Sequence, residues 1–187
     1  HKNDQNFFLE LFNECSDLMM KIMQLQQPVI AEVPGIAAAA GCQLVASCDL
    51  AIAAKTSLFL TPGVNIGLFC STPMVAVSRS LGRKKTMEML LTGESLSADE
   101  ALKYGLINKC VSLDQLENET LRFAKLIASK PKSTVTIGKE AFYKQAELPI
   151  EKAYEYTSQV MAKNMLEKDA KEGIEAFLNK REPIWES

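Results

Sequence analysis

The sequence predicts an α/β fold with a helical C-terminal part. A strand–helix–strand pattern of small and apolar residues runs from Val29 to Ala53, amphipathic helical stretches follow from Thr72 onward, and 47% of the 187 residues are hydrophobic, enough for the core of one ordinary domain.

Taken in order, Phe8, Leu11, Phe12, Cys15, Leu18, Met19, Ile22 and Met23 recur at helical spacing, so a helix over 6–25 is expected with this stripe in the core. Gln27-Pro28 ends it, because the residue before proline disfavours the helical region. Val29 to Val33 reads as a short buried strand closed by a Pro34-Gly35 turn. A loop at Ala37 to Ala39 and a helix starting near Ala40 come next, where small side chains allow close backbone approach. Cys48 to Ala53 reads as a second strand, Thr56 to Leu60 as an extended piece, and Pro62-Gly63 as a break. Helices are expected at Thr72–Leu81 and Lys84–Leu91, separated by Gly82. Ser97-Ala98-Asp99-Glu100 forms a capping box and Gly105 stands where a helix C-cap belongs. Ile107 to Val111 is a short strand. The chain then reads as helices at Leu113–Ser129, Lys132–Gln145, Ile150–Met165 and Asp169–Asn179. The division expected from this pattern is a core at 1–112 and a helical subdomain at 113–187.

Composition removes several function classes. With 21 Lys+Arg against 23 Asp+Glu the net charge is -2, which argues against nucleic-acid binding, since that needs a basic face. No apolar run approaches the roughly 18 residues of a membrane span. The five cysteines are odd in number and include no CxxC pair, so reduced thiols in a reducing compartment explain them better than disulfides or zinc; no metal site is expected. The single histidine is His1, so a Ser-His-Asp or Cys-His triad is excluded. Because the chain opens on His1, an upstream segment is expected, with any targeting peptide it carries.

Three stretches together resemble the crotonase (enoyl-CoA hydratase/isomerase) superfamily. The first runs from Pro28-Val29-Ile30-Ala31 through Pro34-Gly35 and Ala39-Ala40-Gly41-Cys42-Gln43-Leu44 to Cys48-Asp49-Leu50. It is similar to the family's KPVIA, NG, GGGCEL and CD signature, with Pro34 where Asn is usual. The second spans Met89 to Ala101 with Tyr104-Gly105-Leu106-Ile107. The third comprises Glu172-Gly173, Ala176-Phe177 and Lys180-Arg181-Glu182-Pro183. Within the family the match resembles the enoyl-CoA hydratase domain-containing group. The resemblance implies a ββα spiral core with a C-terminal helical trimerisation subdomain, and it leaves the N-terminal half of that spiral outside this sequence.

The resemblance also implies a site. The backbone N–H of Ala40 takes the place of an oxyanion-hole donor, and such a donor is worth roughly 100- to 1000-fold in rate. A run of alanines is also simply a good helix start. Ala38, Ala40, Pro62, Leu68, Phe177 and Lys180 are implied contacts to a coenzyme A thioester, the last two reaching CoA bound to a neighbouring subunit. Phe177 equally fits the apolar stripe of its own helix.

The family's two hydration glutamates correspond to Gln43 and Gly63. Neither an amide nor a glycine can take a proton from water, and each general acid/base group is worth roughly 100- to 10,000-fold. Thr61, Asn65, Cys70 and Ser71 lie nearby, but no Asp or Glu occurs between Asp49 and Glu88. Glu32, Glu88 and Glu94 read as strand-end, surface or capping charges. The expectation is an acyl-CoA-binding protein, homotrimeric or a dimer of trimers, with no permanently bound cofactor and the CoA thioester as substrate or ligand. Two classes stay open: an enzyme relying on enolate stabilisation, or a non-catalytic binder or regulatory paralogue. A bacterial cytoplasm or a mitochondrial matrix fits either.

Overall fold

The computed structural model describes residues 4–186. The chain forms two compact units, one of residues 4–25 and Val29–Arg122, the other of Gln26–Pro28 and 123–186.

In the first unit, α1 (Gln5–Gln24) begins at Asp4, whose carboxylate accepts the N–H groups of Asn6 and Phe7. The helix is where its periodicity puts it, yet its stripe is not core. Only Met19 and Ile22 are buried, while Phe8, Leu11, Phe12 and Leu18 are exposed. Periodicity places these side chains on one face without specifying what covers that face.

Two small sheets follow. β1 (Ile30–Val33), β3 (Leu50–Ala54) and β6 (Lys109–Val111) form one, all parallel, in the order β1-β3-β6. β2 (Ile36–Ala38), β4 (Leu58–Leu60) and β5 (Leu96–Ser97) form the other, with β2 and β4 parallel and β5 antiparallel. The expected loop at Ala37–Ala39 is therefore mostly strand, and only Ala39 is a turn. The two-residue β5 is too short to leave a period in the sequence. Between the sheets in chain order lies α2 (Ala40–Ser47), which packs against α1 and against α3 (Pro73–Ser80). α4 (Arg83–Thr92) and α5 (Ala98–Tyr104) complete this part, with the capping box and the left-handed Gly105 (φ 89°) as expected.

The core contains Val33, Ala37, Cys42, Val45, Ala51, Ala53, Phe59, Val77 and Met89 among others. Its alternation is exact along β2 and β4: Ala37 and Phe59, paired in register, are buried, while Ala38 and Leu60 stand on the opposite side. Polar ties stitch the strands together. Ser57 Oγ donates to the Val33 carbonyl at 2.8 Å, and Asp49 accepts the Val29 N–H at 2.7 Å, giving the Cys-Asp motif a structural use.

The second unit is helical. α6 (Leu116–Ala128) runs across the division between the units, after a short 3-10 turn at Leu113–Gln115. α7 (Lys132–Ala146) packs against α8 (Ile150–Asn164) and α9 (Lys168–Leu178).

Candidate functional site

The site residues of the first unit lie at the start of α2 and in the turn after β4. Ala39 caps α2 with φ 48° and ψ -112°, a left-handed conformation unusual for a residue with a Cβ. Its N–H donates to the Leu60 carbonyl at 2.9 Å, and its carbonyl accepts the Gln43 N–H at 3.0 Å. The first hydrogen bond ties the helix start to the end of β4, immediately before Thr61-Pro62-Gly63. Ala40 is the first helical residue, so its N–H has no intrahelical acceptor and lies at the positive end of the helix. Ala38 and Ala40 are both exposed. A backbone donor of this kind can polarise a carbonyl oxygen without any side-chain chemistry.

Gln43 lies one turn further along α2 and is 4% exposed. Its side-chain carbonyl faces α1, where the Cys15 thiol donates to it at 3.8 Å. No sequence pattern links positions 15 and 43, so this pairing was not readable beforehand.

Pro62–Ile66 form a 3-10 turn closed by Gly67 in the left-handed region (φ 78°). The Gly63 carbonyl accepts the Leu68 N–H at 2.9 Å, which folds 67–70 back over Gly63. A Cβ at Gly63 would lie 2.8 Å from the Leu68 carbonyl oxygen and 2.9 Å from Cys70 Sγ, closer than real Cβ contacts come. The glycine is thus required by its neighbours, and the space a side chain would need is filled by a backbone carbonyl and a thiol. Pro62 is half-buried and Leu68 is exposed.

The other polar groups nearby offer no acid/base pair. The Thr61 hydroxyl is fully buried and meets no partner among the described residues. Asn65 lays its amide against the left-handed Gly93 that ends α4. Ser71 is exposed and donates to the Phe69 carbonyl at 3.3 Å. Cys70 is buried, and burial together with the nearby Cys70 pushes the Cys42 thiol up to about 12, so Cys42 stays protonated. Glu88 pairs with Lys85 at 3.0 Å, and Glu32 and Glu94 are exposed. No group of three or more His, Cys, Asp or Glu among the described residues could hold a metal ion, and none of their helices is long and apolar enough to cross a membrane.

Phe177 and Lys180 belong to the second unit, at the end of α9. Phe177 is 82% exposed and Lys180 is exposed, with φ 53°. Ala176 takes the buried position on that turn, and Phe177 is not covered within this chain.

Comparison with known proteins supplies the context for this geometry. The pattern of the enoyl-CoA hydratase/isomerase family matches residues 2–187. The enoyl-CoA hydratase domain-containing protein 3, mitochondrial, of Rattus norvegicus is 53% identical over 181 residues, covering 97% of this chain and 60% of its own length. The Homo sapiens protein of the same name is 52% identical with the same coverage. The chain therefore spans 60% of the length of these curated relatives. Among solved structures, an enoyl-CoA hydratase of Mycobacterium smegmatis superposes with a TM-score of 0.97 at 48% identity, over 98% of this chain and 72% of that one. The human enoyl coenzyme A hydratase domain-containing protein 3 gives 0.95 at 51% identity, over 99% and 73%.

Proposed function

The chain belongs to the enoyl-CoA hydratase/isomerase family and has the crotonase fold, and from that premise we propose that it binds an acyl-CoA thioester at the start of α2 without the acid/base pair that hydration needs. The observation that carries this reading is the packing at Gly63. A carboxylate there would have to displace the Leu68 carbonyl, which is backbone, as well as Cys70. Gln43 supports the same reading, since its amide is buried and engaged by Cys15. The Ala40 N–H remains as a donor to the thioester oxygen, with Ala38, Pro62 and Leu68 around the acyl group, while Phe177 and Lys180 serve the nucleotide of a CoA bound to a neighbouring subunit.

Binding with little turnover is the function this arrangement supports best. A reaction that needs only enolate stabilisation is the second reading, and the retained donor at Ala40 favours it. The free cysteines and the mitochondrial relatives favour a reducing compartment, the mitochondrial matrix or a bacterial cytoplasm. The protein in this reading assembles as a homotrimer or a dimer of trimers.

The test follows the conjugated enoyl absorbance of crotonyl-CoA alongside calorimetry with acetoacetyl-CoA, using the full-length protein. Acetoacetyl-CoA is expected to bind while the crotonyl-CoA absorbance stays constant. Adding glutamates as Gln43→Glu with Gly63→Glu is expected not to create a hydratase, because position 63 has no room for them. Hydration by the unmodified protein at ordinary family rates would overturn the proposal, and heat-silent mixing with acetoacetyl-CoA would overturn the binding itself.

A further inference from the structure

Resting on the reading that the end of α9 meets the nucleotide of a CoA thioester, we propose that Glu172, Asp169 and Arg181 are positioning residues: they clasp the C-terminal tail onto α9 and so fix the turn that presents Phe177 and Lys180. The clasp is dense. Arg181 places its guanidinium on both oxygens of Glu172, one contact at 2.8 Å, and the Ile184 N–H donates to the same carboxylate at 2.8 Å. Asp169, 4% exposed, accepts the Glu186 N–H at 2.9 Å and the Ser133 hydroxyl at 3.2 Å. Trp185 donates its indole N–H to the Ser129 carbonyl at 3.1 Å and lies against Gly173, where a Cβ would come within 3.3 Å of the ring.

The clasp acts directly on the turn. Lys180 sits in the left-handed region at φ 53°, a position that helix ends usually give to glycine. The Arg181 N–H closes the turn onto the Ala176 carbonyl at 3.0 Å, and Lys180 N–H reaches Phe177 at 3.2 Å. A lysine, with its Cβ, is strained in this region where a glycine would not be. Such strain persists where the surroundings over-determine it, which happens at ligand clamps. The tail does not bury the side chains beside it: Phe177, Leu178 and Ile184 are 82%, 72% and 77% exposed. Its consequence is therefore geometric, holding an exposed aromatic and an ammonium one turn apart. The fork of Arg181 on Glu172 also keeps that carboxyl down at about 2, so the pair is charged across the physiological range.

The experiment uses the full-length protein and two ligands with the same thioester: acetoacetyl-CoA, and acetoacetyl-N-acetylcysteamine, which lacks the nucleotide. Tail docking is read from the emission of Trp185, the single tryptophan of these 187 residues, with Trp185→Phe as the control for emission from elsewhere in the full-length protein. Glu172→Gln with Asp169→Asn should shift that emission and weaken acetoacetyl-CoA binding about tenfold, the scale of one charge-assisted hydrogen bond. Acetoacetyl-N-acetylcysteamine should bind unchanged, and Glu172→Asp should retain most of the affinity for acetoacetyl-CoA. Arg181→Met, which leaves both carboxylates in place, serves if the double variant does not fold. If Lys180→Ala weakens acetoacetyl-CoA binding but release of the tail does not, the clasp has no positioning role and the inference is overturned. Equal losses for both ligands would also overturn it, by marking the clasp as merely structural. If Lys180→Ala itself has no effect, it is the nucleotide reading of α9 that falls.

Discussion

Gly63 is the glycine whose surroundings leave the least freedom. Its importance lies less in lacking a carboxylate than in lacking any room for a side chain, with Leu68 O at 2.8 Å and Cys70 Sγ at 2.9 Å from a Cβ. Gly63→Ala should therefore be destabilising by about 1–3 kcal/mol, the usual range for overpacking. The measurement is the urea midpoint against wild type, and a midpoint at or above wild type would show that 68–70 yields freely. Pairing it with Cys70→Gly should recover only part of the loss, because the carbonyl of Leu68 stays in place. The absence of Asp and Glu between Asp49 and Glu88 was legible in the sequence, since it is a statement about residue types. The fold-back of Leu68 over Gly63, and the contact of Gln43 with Cys15, are made by residues whose spacing carries no period, and they were not legible. The same holds for the orphan hydroxyl of Thr61, which follows the buried face of β4.

At the scale of elements, α2 shows how a helix start can be specified without a side-chain cap. Ala39 makes no side-chain capping bond, and the helix is instead anchored by its N–H on Leu60 and held at φ 48°. A residue with a Cβ is strained there, so Ala39→Gly removes the strain while adding backbone freedom to the unfolded chain. Relief of about 1–2 kcal/mol against a glycine cost of roughly 0.5–1 kcal/mol predicts a small net gain, below about 1.5 kcal/mol. Chemical denaturation decides it, and a loss of stability would mean that the unfolded-state term wins. Acetoacetyl-CoA affinity should be retained, because the Ala40 N–H is untouched. Sequence patterning located nearly every helix here, including the Ser97 capping box, because caps and 3.6-residue periods are local signals. It assigned the stripe of α1 to the core and the strand Ile36–Ala38 partly to a loop, because burial and strand pairing depend on partners distant in sequence.

For the whole molecule, the outstanding feature is an uncovered apolar surface on the helices of the second unit. Ile150, Tyr154, Met161 and Met165 recur at helical spacing along and just beyond α8, and all are exposed, while Ala153 takes the buried side. Phe142 on α7 and Leu166 after α8 are 62% and 71% exposed. Monomers seldom leave a large apolar patch in water. A closed symmetric assembly would cover such a surface on every copy at once. Light scattering on the purified protein should then return three or six chain masses. Tyr154→Glu, which puts a carboxylate into the α8 stripe, should lower that mass toward one chain with the far-UV spectrum preserved, since Tyr154 is 70% exposed within the chain. A wild-type protein that stays at one chain mass up to tens of micromolar would overturn the assembly. An unchanged mass in Tyr154→Glu would place the interface on a different face from the α8 stripe.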